Sequence, residues 1–246
     1  MYNIIVIGPA GSGKSTLTAS FGGWLEENGH RVGYINLDPG ADSPPYNPTF
    51  DIRTVVTLEE IMLKEKLAPN GALIRAAEII ESSLPSVVEK FESAVAEADI
   101  RLIDTPGQME VFLFRNLGPS LVSLLQGRIL TLDLIEPGLL RNETDLITLR
   151  LLGLLTEIRL GVPSIEVLNK SDLYGSVDIK KIEEAIPETG MRACGLSEEL
   201  NERLQQTVQS LRKCQRMISV SSRSGAGMDE LYKELGECFC SCGDLS

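Results

Sequence analysis

Near its start the chain reads Ile4-Ile5-Val6-Ile7-Gly8-Pro9-Ala10-Gly11-Ser12-Gly13-Lys14-Ser15, followed by Thr16. The two halves of this stretch carry different instructions. Residues 4–7 are an unbroken run of β-branched side chains, which suits a strand buried on both faces. Residues 8–15 fit the spacing G-x-x-x-x-G-K-[ST]. In that pattern the glycines let backbone N–H groups turn inward around an anion, and the helix that follows adds its dipole. A strand, a glycine loop and a helix in this order predict a phosphate-binding turn. The helix is expected to run from Lys14 to about Asn28, with Gly29 as its stop.

Working outward, short apolar runs alternate with helical stretches. Strands are expected near 4–7, 32–37, 100–104, 128–134, 165–169 and 217–221. This rhythm predicts an α/β chain with a mainly parallel central sheet between helical layers, the three-layer P-loop NTPase fold. Two regions break the rhythm and are expected to be helical insertions within a single domain, residues 1–246. The first is 57–98, with a helix over 58–67, a breaker at Pro69-Asn70-Gly71, a second helix from about Ala72, and a new helix or a kink at Pro85. The second is the polar stretch 179–215.

Bulk properties exclude several functions. There are 35 acidic against 23 basic residues, a net charge of −12. Such a surface repels phosphate backbones and anionic membranes, so neither nucleic acid nor membrane is an expected partner. No run is long enough to span a bilayer or serve as an export signal, which points to a cytoplasmic protein. The five cysteines, an odd number, fit a reducing compartment. Cys238, Cys240 and Cys242 invite a soft-metal reading, but no fourth ligand is evident, and a terminal helix accounts for them. His30 is the single histidine, so histidine-based triads and metal sites are excluded by inventory.

Three further motifs fall at predicted strand ends. Within the first loop, Lys14 would reach the β- and γ-phosphates and Ser15 would ligate Mg²⁺. Asp104-Thr105-Pro106-Gly107-Gln108 supplies an acid for Mg²⁺, a Gly107 N–H for the γ-phosphate and a glutamine to orient water. Asn169-Lys170-Ser171-Asp172 fits N-K-x-D. The Asp172 carboxylate would accept from guanine N1–H and N2–H₂, which adenine lacks, and such a site discriminates by about 10⁴-fold or more. Lys170 would lie over the base, and Asn169 would tie this loop to the first one. Ser221-Ser222-Arg223 follows in the place of the S-A-K loop that contacts the guanine O6 in GTPases.

With Asn36-Leu37-Asp38-Pro39 and Pro44-Pro45-Tyr46, these elements resemble the GPN-loop GTPases, and most of all their compact, archaeal-type members, over nearly the whole chain. The resemblance implies that Asp38 lies near the Mg²⁺ and the attacking water. It implies a homodimer across the nucleotide face, in which the Asn70 loop enters the partner's site. It also implies a role in assembling RNA polymerase or other large complexes. Here the signature reads Ala68-Pro69-Asn70-Gly71, with alanine in place of the first glycine. Alanine at φ > 0 would cost roughly 1 kcal/mol, but a residue before proline favours the extended region, where alanine is comfortable. Two other readings stand beside a GTPase switch. One is a related dimerising P-loop ATPase, against which Asp172 argues. The other is a slow, nucleotide-gated scaffold.

Overall fold

In a computed structural model of the protein, the described residues are 1–139, 143–174, 203 and 217–241. Along the chain they form β1 (Tyr2–Ile7), α1 (Lys14–Glu27), β2 (Val32–Asn36), β3 (Phe50–Asp51), α2 (Leu58–Glu65), α3 (Pro69–Ala94) and β4 (Ile100–Asp104). Then come α4 (Met109–Phe114), α5 (Leu117–Leu124), β5 (Arg128–Ile135), α6 (Glu143–Leu160), β6 (Ser164–Leu168), the single turn α7 (Ser171–Tyr174), β7 (Ile218–Ser219) and α8 (Met228–Ser241). The strands make one seven-stranded sheet in the order β3-β2-β4-β1-β5-β6-β7, with parallel pairing throughout.

Alternation along β1 divides the core. Ile4 and Val6 face a layer built from Leu17, Phe21 and Leu25 of α1 and Leu231, Leu235 and Phe239 of α8. Ile5 and Ile7 face the opposite layer, with Ala76, Ile80, Leu84 and Phe91 of α3 and Phe112 and Leu121 of α4 and α5. A sheet covered on both faces is why its central strands are continuously apolar. Among the described residues no helix is long and apolar enough to cross a membrane.

Two details differ from the sequence expectations, and one of two expected alternatives is decided. The two-residue strand β3 was not foreseen, because a run of that length has no periodicity to read. Pro69-Asn70-Gly71 is not a breaker but the first turn of α3, with Ala68 as N-cap and Pro69 at the first helical position. Proline is favoured there because its missing N–H would have no helical partner and its φ is already helical. Of the two outcomes expected at Pro85, a new helix does not begin there: Pro85 lies inside α3, which continues to Ala94. An interior proline costs ~3 kcal/mol. Beyond it, however, Val87, Val88 and Phe91 carry the buried face onward, each contributing about 1.5–3 kcal/mol on burial. The stretch 179–215, apart from Arg203, lies outside the described residues, as do Cys194, Cys214 and Cys242; Cys238 and Cys240 fall in α8.

Candidate nucleotide site

All the candidate motifs converge on the C-terminal edge of the sheet. Val6 at the end of β1 pairs with Asp104 at the end of β4, and Asn36 at the end of β2 pairs with Asp104 from the other side. With β1 between β4 and β5, the connection from β1 leads to β2 on one side of the sheet and that from β4 leads to β5 on the other. This is the switch point where open α/β sheets form a ligand crevice.

The loop after β1 is shaped by its glycines. Gly8 has φ 151°, and a Cβ there would meet the Leu134 carbonyl oxygen at 2.7 Å. Gly13 has φ 94°, and a Cβ there would meet the Asn169 amide nitrogen at 2.5 Å. Lys14, with 7% exposure, donates from Nζ to the carbonyls of Gly8 (3.0 Å) and Pro9 (3.3 Å). Burial holds its pKa below the ordinary lysine value, while Asp104 and Asp38 pull it back up. The ammonium therefore sits in the cradle facing two carboxylates. Ser15 and Thr16 open α1 directly behind it.

Asp104 is buried, which pushes its pKa up to about 6 against the pull of Ser15, Tyr46 and Lys14. The Tyr46 hydroxyl donates to Asp104 Oδ2 at 3.0 Å, while Asp104 Oδ1 is buried with no hydrogen-bond partner. Asp38 Oδ1 accepts from the Gly40 N–H at 2.8 Å. Burial raises its pKa too, partly offset by the N–H groups of Gly40 and Gly107 and by the charge on Lys14. Gln108 caps α4, and its Nε2 donates to Asn70 Oδ1 of the same chain at 3.0 Å. The resemblance to known proteins implied a partner-facing Asn70; in the single chain that residue rests against its own Gln108.

The base-side loops are stitched to the cradle. Asn169 Nδ2 donates to the Ser12 carbonyl at 2.9 Å. Its Oδ1 accepts from the Ser222 N–H at 3.2 Å and from the Ser222 hydroxyl at 2.7 Å. The Ser221 hydroxyl donates to Asp172 Oδ1 at 2.6 Å. Lys170 has φ 63° and donates from Nζ to Glu136 Oε1 at 2.9 Å. Gly13, Thr16, Asn169, Lys170, Asp172 and Arg223 line a cavity of about 280 Å³.

A divalent cation is implied by this kind of site, and the residues suit one. Ser15, Asp38 and Asp104 are hard oxygen donors around the cradle, and Asp104 Oδ1 makes no hydrogen bond of its own. One or two carboxylates beside a phosphate are the usual donors to Mg²⁺. Among the described residues no group of three or more His, Cys, Asp or Glu forms a metal cluster.

Motif reading missed Tyr46 and Glu136. Tyr46 stands in the quoted Pro-Pro-Tyr run, but no motif gives it a task. Glu136 directly follows β5, and that placement at the same sheet edge is the signal that could have found it.

A family model described as "Conserved hypothetical ATP binding protein" matches residues 6–241. A GPN-loop GTPase of Pyrococcus abyssi is 33% identical over 252 aligned residues, covering 99% of each chain. A crystal structure of a Pyrococcus abyssi GTPase in apo form superposes with a TM-score of 0.87 at 32% identity, covering 98% of each chain. GPN-loop GTPase 2 of Saccharomyces cerevisiae is 34% identical over 177 residues, covering 70% of this chain but 51% of its own length. The Arabidopsis thaliana GPN-loop GTPase QQT1 is 32% identical over 180 residues, with 72% and 60% covered. This chain thus spans about half to three-fifths of those two relatives and nearly all of the archaeal one. The motifs at one sheet edge, the helical insertion that carries Asn70, and similarity over the whole chain together establish that the protein belongs to the GPN-loop GTPase family.

Proposed function

We propose that the protein binds guanine nucleotides with Mg²⁺ and hydrolyses GTP to GDP and phosphate. It would act as a single P-loop domain over residues 1–246, in a cytoplasmic homodimer. The observation that carries this reading is the double engagement of Asn169, which joins the phosphate loop at Ser12 to the base-side loop at Ser222. One nucleotide can therefore reach both Lys14 and Asp172.

Each residue has a task in that reading. The backbone N–H groups of the loop from Gly8 to Ser15, Pro9 excepted, and the Lys14 ammonium bind the phosphates. Asp172 accepts from the guanine edge, which favours guanine over the adenine named in the family description. Gln108 orients the attacking water, with Asp38 at the same edge. Mg²⁺, held by Ser15 and Asp104 beside Asp38, would neutralise charge on the phosphates when bound. By family resemblance, the nucleotide state would serve assembly of large protein complexes, RNA polymerase among them.

The test is equilibrium titration with fluorescent GTP and ATP, with and without Mg²⁺, alongside single-turnover hydrolysis. GTP should bind far more tightly than ATP. Gln108→Ala should slow hydrolysis on the order of 10²-fold while leaving GTP affinity nearly intact, because the glutamine acts mainly in the transition state. Equal affinity for both nucleotides would remove the guanine assignment. An unchanged single-turnover rate in Gln108→Ala would remove the catalytic one.

A further inference from the structure

Tyr46 is outside every nucleotide-binding motif, yet its hydroxyl lies 3.0 Å from Asp104 Oδ2, across 58 positions of sequence. We propose that Tyr46 is a positioning residue for the divalent cation: by holding one oxygen of Asp104, it presents the other to the phosphate cradle. The inference rests on the Mg²⁺-dependent reading of the site given above.

The chemistry of the pair supports it. A phenol has one proton to donate, so the bond fixes the rotation of the carboxylate. The remaining oxygen, Oδ1, is buried with no partner, as a cation ligand should be. The donor is also neutral. A lysine or arginine in the same place would offset the carboxylate charge that attracts Mg²⁺, whereas a phenol leaves it in place.

The fold delivers Tyr46 to this spot through a braced loop. At the base, Asn36 Nδ2 donates to Asp51 Oδ1 at 3.0 Å. Arg53 Nη1 donates to the carbonyls of Ala41 and Asp42, each at 2.9 Å, and the same guanidinium pairs with Asp51. Pro44, Pro45 and Pro48 restrict the chain between these braces. The Tyr46 ring stacks on Tyr34 of β2, with centroids 5.5 Å apart and planes inclined by 23°. The ring is thus held by its face and its hydroxyl while the backbone is held at the loop base. Such rigidity suits an outer partner that orients a metal ligand, and mutation of such partners typically lowers metal affinity 10–100-fold.

A merely covering role for Tyr46 would give a different result. Tyr46→Phe keeps the ring and its stacking and removes only the hydroxyl. Binding of fluorescent GDP to the full-length variant should be measured across a Mg²⁺ titration and again in EDTA, with thermal unfolding followed in EDTA without nucleotide. The Mg²⁺ concentration for half-maximal tightening should rise about 10-fold, while GDP affinity in EDTA stays within about twofold of wild type. An unmoved Mg²⁺ midpoint overturns the proposal. So does an equal loss of GDP affinity in EDTA, or a lower melting temperature with no Mg²⁺ effect, because either would mark a structural role. If wild-type binding does not depend on Mg²⁺ at all, the underlying reading of the site fails, and this inference with it.

Discussion

Gly13 is required for two independent reasons. Its φ of 94° belongs to the left-handed region, and the Asn169 amide stands where a Cβ would be. One residue thus couples the phosphate loop to the base-side loop. At Asp172 the neighbouring Ser221 hydroxyl donates to Oδ1, and it can donate equally to an amide oxygen. Asp172→Asn should therefore keep the local structure and change only the nucleotide edge. Affinity for GTP should fall by about 10²-fold or more, and xanthosine triphosphate should gain, since its C2 carbonyl accepts from the new amide. Competition titrations with the two nucleotides would settle this, and undiminished GTP binding would count against the role of Asp172.

Asp104 makes a prediction about pH. Its pKa is about 6 in the folded protein against 3.8 ordinarily. Without nucleotide and in EDTA, the folded state takes up a proton before the unfolded chain does. The stabilisation from that proton is complete below about pH 4 and is lost as pH rises through 6. Wild type should therefore gain on Asp104→Asn as pH falls from 8 to 4, by up to ~3 kcal/mol at about 1.4 kcal/mol per pH unit between the two values. Chemical denaturation of both proteins at several pH values measures the difference. A constant gap would show that Asp104 is not desolvated.

At the scale of elements, α3 decides how the departure at Ala68 is tolerated. Ala68 is the N-cap with φ −69° and ψ 160°, an extended conformation open to any residue, so the family's glycine is not needed for backbone freedom. Two effects oppose each other in Ala68→Gly. Glycine is the better N-cap, but it also loosens the unfolded chain. Net stability should change by less than ~1 kcal/mol, and the hydrolysis rate should not change. Denaturation and single-turnover assays check both. A several-fold gain in rate would mean that the loop needs a conformation other than the one seen. The continuation of α3 through Pro85 belongs to the same scale, because the face it buries outweighs the local penalty.

For the whole molecule, the question is where Asn70 acts. Within one chain it accepts from Gln108, in an exposed contact worth about 0.5–1.5 kcal/mol. A stable two-fold interface covers about 800 Å² per partner, so dimerisation can readily displace that bond. If Asn70 serves the partner's site, mixing Asn70→Ala with Gln108→Ala protein leaves one intact site in each mixed dimer. Random exchange then restores about a quarter of the wild-type rate. If the pairing within one chain is the functional one, every site keeps a defect and mixing restores nothing. Mass measurement of tagged subunits confirms exchange independently, and exchange without recovery would rule out action in trans.

The sequence by itself determined the chemistry and its order along the chain. The glycine spacing before Lys14, the acid at Asp104, the N-K-x-D run at Asn169 and the apolar runs of a doubly covered sheet are local patterns, each readable because residue type and spacing carry the constraint. The tertiary structure alone decided what meets what. Ser12 and Asn169 bond across 157 positions, Tyr46 reaches Asp104 across 58, and Lys170 finds Glu136 across 34. Those distances depend on strand order and on packing over the sheet. The passage of α3 through Pro85 was hidden for a related reason: local propensity reads an interior proline as a new start or a kink, while the buried face formed by distant residues carries the helix onward.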